Sequence, residues 1–156
     1  MRKLTLTSFT LLASLFIPYK LHASSCEKYI GQCEYYLCQE SEYHCGEKGY
    51  LMHFGQRYCE SFYQNLNQEL SPKGQIWIDN VRTCLQNKME HFEASNSCKN
   101  LKKMAYRSHS DCYLKANFCQ LSFSDKKKII AFLKPELWKF RTQKEGIQVL
   151  YQCLKN

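Results

Sequence analysis

Glycine and proline are scarce, with six and three residues among 156. That scarcity excludes a collagen-like or low-complexity chain. Alternating apolar and polar runs of the kind that build strands are absent, as are internal repeats and flexible linkers. No C-x-x-C pair occurs, although the chain has ten cysteines, which argues against structural zinc. After the first 23 residues no apolar run is long enough to span a membrane. What is plentiful is surface to bury. Hydrophobic residues make up 44% and aromatics 14%, which argues against disorder. The length suits one domain, since two would each fall below the usual size.

The first segment reads as a secretory signal. Arg2 and Lys3 precede an apolar stretch from Leu4 to Pro18, and Leu21-His22-Ala23 ends on a small residue. Roughly 15 apolar residues are too few for a comfortable membrane span. Removal of residues 1–23 is therefore expected, leaving 24–156 as a single domain. Those 133 residues carry 19 basic and 14 acidic side chains, a net +5. Ala23-Ser24-Ser25-Cys26 faintly resembles a lipoprotein processing site. However, Ala23 stands where leucine is usual, and lipidation of Cys26 would leave an odd nine cysteines. The expected location is outside the cytoplasm, extracellular or periplasmic, where thiols oxidise.

An even number of cysteines in a small exported chain reads as a disulfide framework. Ten cysteines allow about 945 pairings, so their number alone leaves the connectivity open. Each bridge contributes ~2–4 kcal/mol, mainly by restricting the unfolded chain.

Helical periodicity fills the rest. Along 56–68, Cys59, Phe62, Tyr63 and Leu66 share a face. Ser71-Pro72 reads as an N-cap with proline in the first helical position. Ile78, Val81, Leu85, Met89 and Phe92 then form one stripe. Ser95 or Asn96 is expected to cap a third helix bearing Cys98, Leu101 and Ala105. Asp111 is expected to start a short fourth, reaching about Phe118. Ser124 caps a fifth, with Ile129, Ile130 and Leu133 apolar and Pro135 as its stop. Ile147, Leu150, Tyr151 and Leu154 mark a last helix that carries Cys153. Residues 26–50 read as irregular, with turns at Gly31, Gly46 and Gly49. Gly74 inside a helix costs ~1 kcal/mol relative to alanine, which predicts close approach by a neighbouring helix or bridge. Trp77, one turn on, is expected in the core.

Spacing then becomes specific. Cys98 is followed at 112 and 119 by Cys112-Tyr113-Leu114-Lys115-Ala116-Asn117-Phe118-Cys119, with Met104 six residues after Cys98. Upstream, Leu70, Gly74 and Trp77 lead to Cys84, seven residues after the tryptophan. These motifs, and the order and intervals of all ten cysteines from Cys26 to Cys153, resemble the stanniocalcin family. The resemblance implies a mostly helical hormone-like fold with the pairs Cys26–Cys38, Cys33–Cys59, Cys45–Cys98, Cys84–Cys112 and Cys119–Cys153. It also implies signalling or inhibition through a protein surface. The departures are two. The family's subunit-linking cysteine has no counterpart, so a monomer is expected, and there is no Asn-x-Ser/Thr glycosylation site.

One constellation suggests chemistry. Arg107-Ser108-His109-Ser110-Asp111-Cys112-Tyr113 resembles the H-D-x-C-Y segment of secreted phospholipases A2, and Tyr43-His44-Cys45-Gly46-Glu47-Lys48-Gly49 loosely resembles their calcium loop. Such an enzyme uses the histidine as general base and the adjacent aspartate as calcium ligand. Here Ser110 follows His109, and the simpler expectation is a helix junction capped by Asp111. His44, His53, His91 and His109 lack metal-ligand spacing. Lys126-Lys127-Lys128 reads as a solvated helix turn, with an anionic membrane or polysaccharide as the alternative contact. Nucleic acid is not expected.

The sequence thus predicts an all-α, disulfide-stapled bundle of five to six helices with an irregular Cys-rich N-terminal segment. The function expected is non-enzymatic binding of a secreted or cell-surface protein, without cofactor or metal. The alternatives are a calcium-dependent lipid hydrolase using His109, or a structural or host-interaction protein of the cell envelope.

Overall fold

The computed structural model describes residues 26–92 and 97–155. The signal at 1–23, the start at Ser24 and the cap at Ser95 or Asn96 lie outside the described residues. Among those described there is no strand, and the fold is an all-α bundle stapled by disulfides. Its helices are α1 (Glu34–Tyr43), α2 (Arg57–Ser61), α3 (Pro72–Glu90), α4 (Cys98–Lys115), α5 (Phe123–Leu137) and α6 (Phe140–Lys155). π-Helical turns Leu51–Gln56 and Phe62–Leu66 extend α2 at both ends. The segment read as irregular therefore contains α1. Its apolar positions are mostly tyrosine and cysteine, so little amphipathic pattern reveals it.

α3 and α4 form an antiparallel hairpin. Cys84 bridges Cys112 near its middle, Met89 packs with Leu101 and Ala105, and Trp77 Nε1 donates to the Tyr113 carbonyl at 3.3 Å. Ser71 caps α3, its hydroxyl accepting from Gly74 N–H at 3.2 Å, with Pro72 in the first turn. Ser97, at the edge of the described region, caps α4. α4 runs unbroken through Asp111, so the expected junction there does not form. Mid-helix, the Asp111 carboxylate pairs with Lys88 and, one turn on, with Lys115, each at 3.0 Å. These pairs replace the capping role expected of it. The helix ends instead at Lys115, and Asn117, just past its cap, takes a left-handed conformation.

α5 starts two residues earlier than Ser124 suggests. Ser122, not Ser124, is the cap, accepting from Asp125 N–H at 3.0 Å. Pro135 does not stop it, and the helix continues to Leu137. Proline removes one backbone donor there. Tertiary contacts hold the last turn, because Glu136 accepts from the Tyr58 hydroxyl at 3.1 Å and pairs with Lys139 at 2.5 Å. Asp125 also reaches the start of α3, accepting from Ser71 N–H at 3.0 Å and Ser71 Oγ at 2.7 Å. This contact explains Gly74. A Cβ there would lie 3.0 Å from Leu70 Cβ and 3.1 Å from the Asp125 carboxyl carbon.

Two cores result. The first gathers Tyr35, Tyr36, Tyr50, Leu51, Met89, Leu101 and Tyr106, from α1, the turn before α2 and the adjacent ends of α3 and α4. Gly55 lets the Tyr36 ring lie flat on the backbone, since a Cβ there would sit 2.4 Å from Cδ1. Gln86, fully buried, ties the N-terminal loop to α3 by accepting from Gly31 N–H and donating to the Gln32 carbonyl. The second core joins Leu66, Leu70, Trp77, Ile78, Val81, Phe118, Leu121, Ile129 and Val149.

Candidate functional site

The bridges are Cys26–Cys38, Cys33–Cys59, Cys45–Cys98, Cys84–Cys112 and Cys119–Cys153, the same pairs that the family resemblance implies. None of the ten cysteines is free. Among the described residues the one group of three metal-ligand types is Cys26, Cys38 and Glu42, whose two sulfurs are bonded to each other. No helix of the described residues is long and apolar enough to cross a membrane. Five disulfides fit an oxidising compartment outside the cytoplasm.

His109 and Asp111 are separated by the geometry of α4. Two residues on a helix lie about 200° apart, so both cannot face one metal. His109 is only 7% exposed, its Nδ1–H donating to the Ala105 carbonyl at 2.8 Å. Its ring stands against Phe54, Tyr106 and Tyr113, with centroids 5.6, 5.9 and 5.7 Å away. Burial pushes its pKa below the usual histidine value, against the pull of backbone carbonyls and Glu145, so the ring is neutral at pH 7. Asp111 faces outward, and hydrogen bonds from Lys88 and Lys115 hold its carboxyl below the usual range. Tyr58 is pushed up to about 12 by burial and by Glu136.

The largest surprise lies on α6. Ile147, Leu150, Tyr151 and Leu154, the apolar stripe that marks this helix, are 66, 52, 54 and 86% exposed. The inward face carries Thr142, Glu145, Val149 and Cys153 instead. Its rotation is held by the Cys119–Cys153 bridge and by Ser110 Oγ donating to Glu145 at 2.6 Å. With its large apolar side chains turned largely outward, α6 does not fill the space it covers. An apolar chamber of about 330 Å³ lies between α4, α5 and α6, walled by His109, Tyr113, Ile129, Leu133 and Val149.

From Phe123 to Lys155 the sequence has eight basic and three acidic residues. All three acids are engaged: Asp125 by serines, Glu136 by Tyr58 and Lys139, Glu145 by Ser110. This end of the molecule therefore combines exposed apolar surface with unneutralised positive charge. No protein-family model, curated protein or solved structure matches the chain.

Proposed function

We propose that the protein is a non-enzymatic exported regulator or inhibitor, hormone-like as its stanniocalcin resemblance implies, that binds another protein through α6. The observation that carries this reading is the outward stripe of Ile147, Leu150, Tyr151 and Leu154. Its residues recur at intervals of three, one and three, the anchor pattern of a helix that lies in a partner's groove. The lysines on the same helix, Lys144 and Lys155, favour an apolar groove with an acidic rim on a secreted or cell-surface protein. The regulator itself acts as a monomer.

The test compares wild type with Tyr151→Lys/Leu154→Lys as baits in the extracellular medium, alongside size exclusion of each. A stoichiometric protein retained by wild type and lost by the variant supports the reading. Equal retention by both overturns it. So does self-association that the variant abolishes, because the stripe would then serve a second copy of this chain. Calcium-dependent release of fatty acid from phospholipid vesicles, lost in His109→Ala, would replace the binding protein with a hydrolase.

A further inference from the structure

The chamber beneath α6 adjoins a second cavity. Phe54, Tyr106 and Thr142 line both the chamber and this more open cavity of about 420 Å³. The two differ sharply in chemistry. The chamber is almost entirely aliphatic and aromatic, and its carboxylates are already bonded to neighbours: Glu136 to Tyr58 and Lys139, Glu145 to Ser110. The second cavity is lined by Lys48, Lys102, Lys139 and His53, with no acidic residue. Lys48 comes from the turn before α2, Lys102 from α4, and Lys139, paired with Glu136, from the junction of α5 and α6, so Lys48 and Lys102 are the cations that this mouth offers to an anion.

Thr142 marks the boundary. It lines both cavities, and its hydroxyl is buried without a hydrogen-bond partner. A buried hydroxyl without a partner is unfavourable unless something that fills the site bonds to it. The chamber's volume is roughly twice that of an apolar cavity that takes up benzene. At roughly 30 Å³ for each water-sized group, it holds on the order of ten methylenes.

We infer that this two-part cavity is a binding site for a free fatty acid of about ten to twelve carbons, its chain in the chamber and its carboxylate among Thr142, Lys48 and Lys102. The apolar chamber excludes a charged head, and the basic mouth attracts one. A neutral alcohol of the same length shares only the chamber. A two-chain phospholipid exceeds its volume. The chamber shares Ile147 and Leu150 with the outward stripe, whereas Tyr151 and Leu154 belong to the stripe alone and Gly146 to the chamber wall alone.

Gly146 provides the test, because a Cβ there meets nothing within 4 Å and a larger side chain enters open space. Gly146→Leu also improves helix propensity, so the variant folds. The disulfide-intact protein is titrated calorimetrically with laurate and with dodecanol, and mixed with phosphatidylglycerol vesicles. Expected is saturable one-to-one binding of laurate, weakened at least tenfold by Gly146→Leu and severalfold by Lys48→Ala/Lys102→Ala. The lysine variant should bind dodecanol as wild type does, while Thr142→Val should weaken laurate binding and leave the fold intact. Absence of saturable laurate binding overturns the proposal, as does binding that Gly146→Leu leaves unchanged. Dodecanol bound as tightly as laurate removes the role of the basic mouth and overturns it equally. Capture by vesicles without laurate binding would assign this face to a lipid surface instead.

Discussion

The two halves of the molecule solve the packing problem in opposite ways. Around α1 and α2 the backbone is least regular, and there three bridges, Cys26–Cys38, Cys33–Cys59 and Cys45–Cys98, tie short segments together. Tyrosine rings fill that core so tightly that Tyr36 takes the place of a side chain at Gly55. Around α5 and α6 the helices are long and regular and one bridge, Cys119–Cys153, suffices. That half leaves a chamber inside and large apolar residues outside. Crosslinks thus accumulate where local structure cannot stabilise itself, and space for a ligand or partner is left where it can. Cys84–Cys112 joins the two regions through the α3–α4 hairpin.

The largest effect should come from that seam. Cys84→Ala removes the bridge and leaves Cys112 as a free thiol in a fully buried position. A loss of ~2–5 kcal/mol is expected, read by urea unfolding, together with poor yield of exported protein. An unchanged unfolding midpoint would show that the halves do not depend on their junction.

Next comes one substitution with opposite outcomes in the two regions. Gly55→Ala forces a Cβ into the Tyr36 ring and should cost about 1–3 kcal/mol. Gly146→Ala meets open space in a helix interior and should stabilise by ~0.5–1 kcal/mol. Thermal unfolding of both decides. Two changes of the same sign would break the contrast between a full core and a hollow one.

Acid should act through the buried groups. His109 has a folded pKa below its unfolded value, so the unfolded chain binds the proton more readily. The stability this gives is complete above about pH 6.5 and falls as pH drops below that value, by at most about 1.4 kcal/mol per unit. Near pH 4 Asp125 adds to the loss. Burial opposes its charge, but hydrogen bonds from Ser71 and Ser122 and the charge of Lys128 outweigh burial and lower its pKa. Urea midpoints at pH 7.5 and 5.5 should therefore differ in wild type and converge in His109→Phe.

The smallest effect should follow Leu154→Lys. An 86% exposed side chain supports no core, and stability should change by no more than about 0.5 kcal/mol. A larger loss would mean that the stripe is packed in solution.

Much of the fold was legible. The stripe from Ile78 to Met89 lies on α3 and its last expected member, Phe92, falls just past the helix end; Ser71-Pro72 begins that helix, and the strain of Gly74 points to a neighbour that proves to be Asp125. Other signals misled because competing partners were out of sight along the chain. Asp111 looks like a cap until Lys88, on another helix, comes within 3.0 Å. Pro135 looks like a stop until Tyr58 holds Glu136. α1 escaped notice because tyrosines and cysteines serve its core face in place of aliphatic residues.

For the candidate site, the sequence alone determined that α6 has an apolar stripe, that Cys153 lies on this helix, and that the C-terminal third is basic. Periodicity measures how strongly a helix is two-faced, and it carries no information about which face meets the protein. Tertiary structure decided that. The bridge from Cys153 to Cys119 and the bond from Ser110 to Glu145 roll α6 until Glu145 and Val149 face inward and Ile147, Leu150, Tyr151 and Leu154 are left more than half exposed. The same rotation opens the chamber, sets the unpartnered Thr142 hydroxyl between it and the lysines, and thereby brings together residues that lie almost a hundred positions apart in the chain, Lys48 and Thr142 among them.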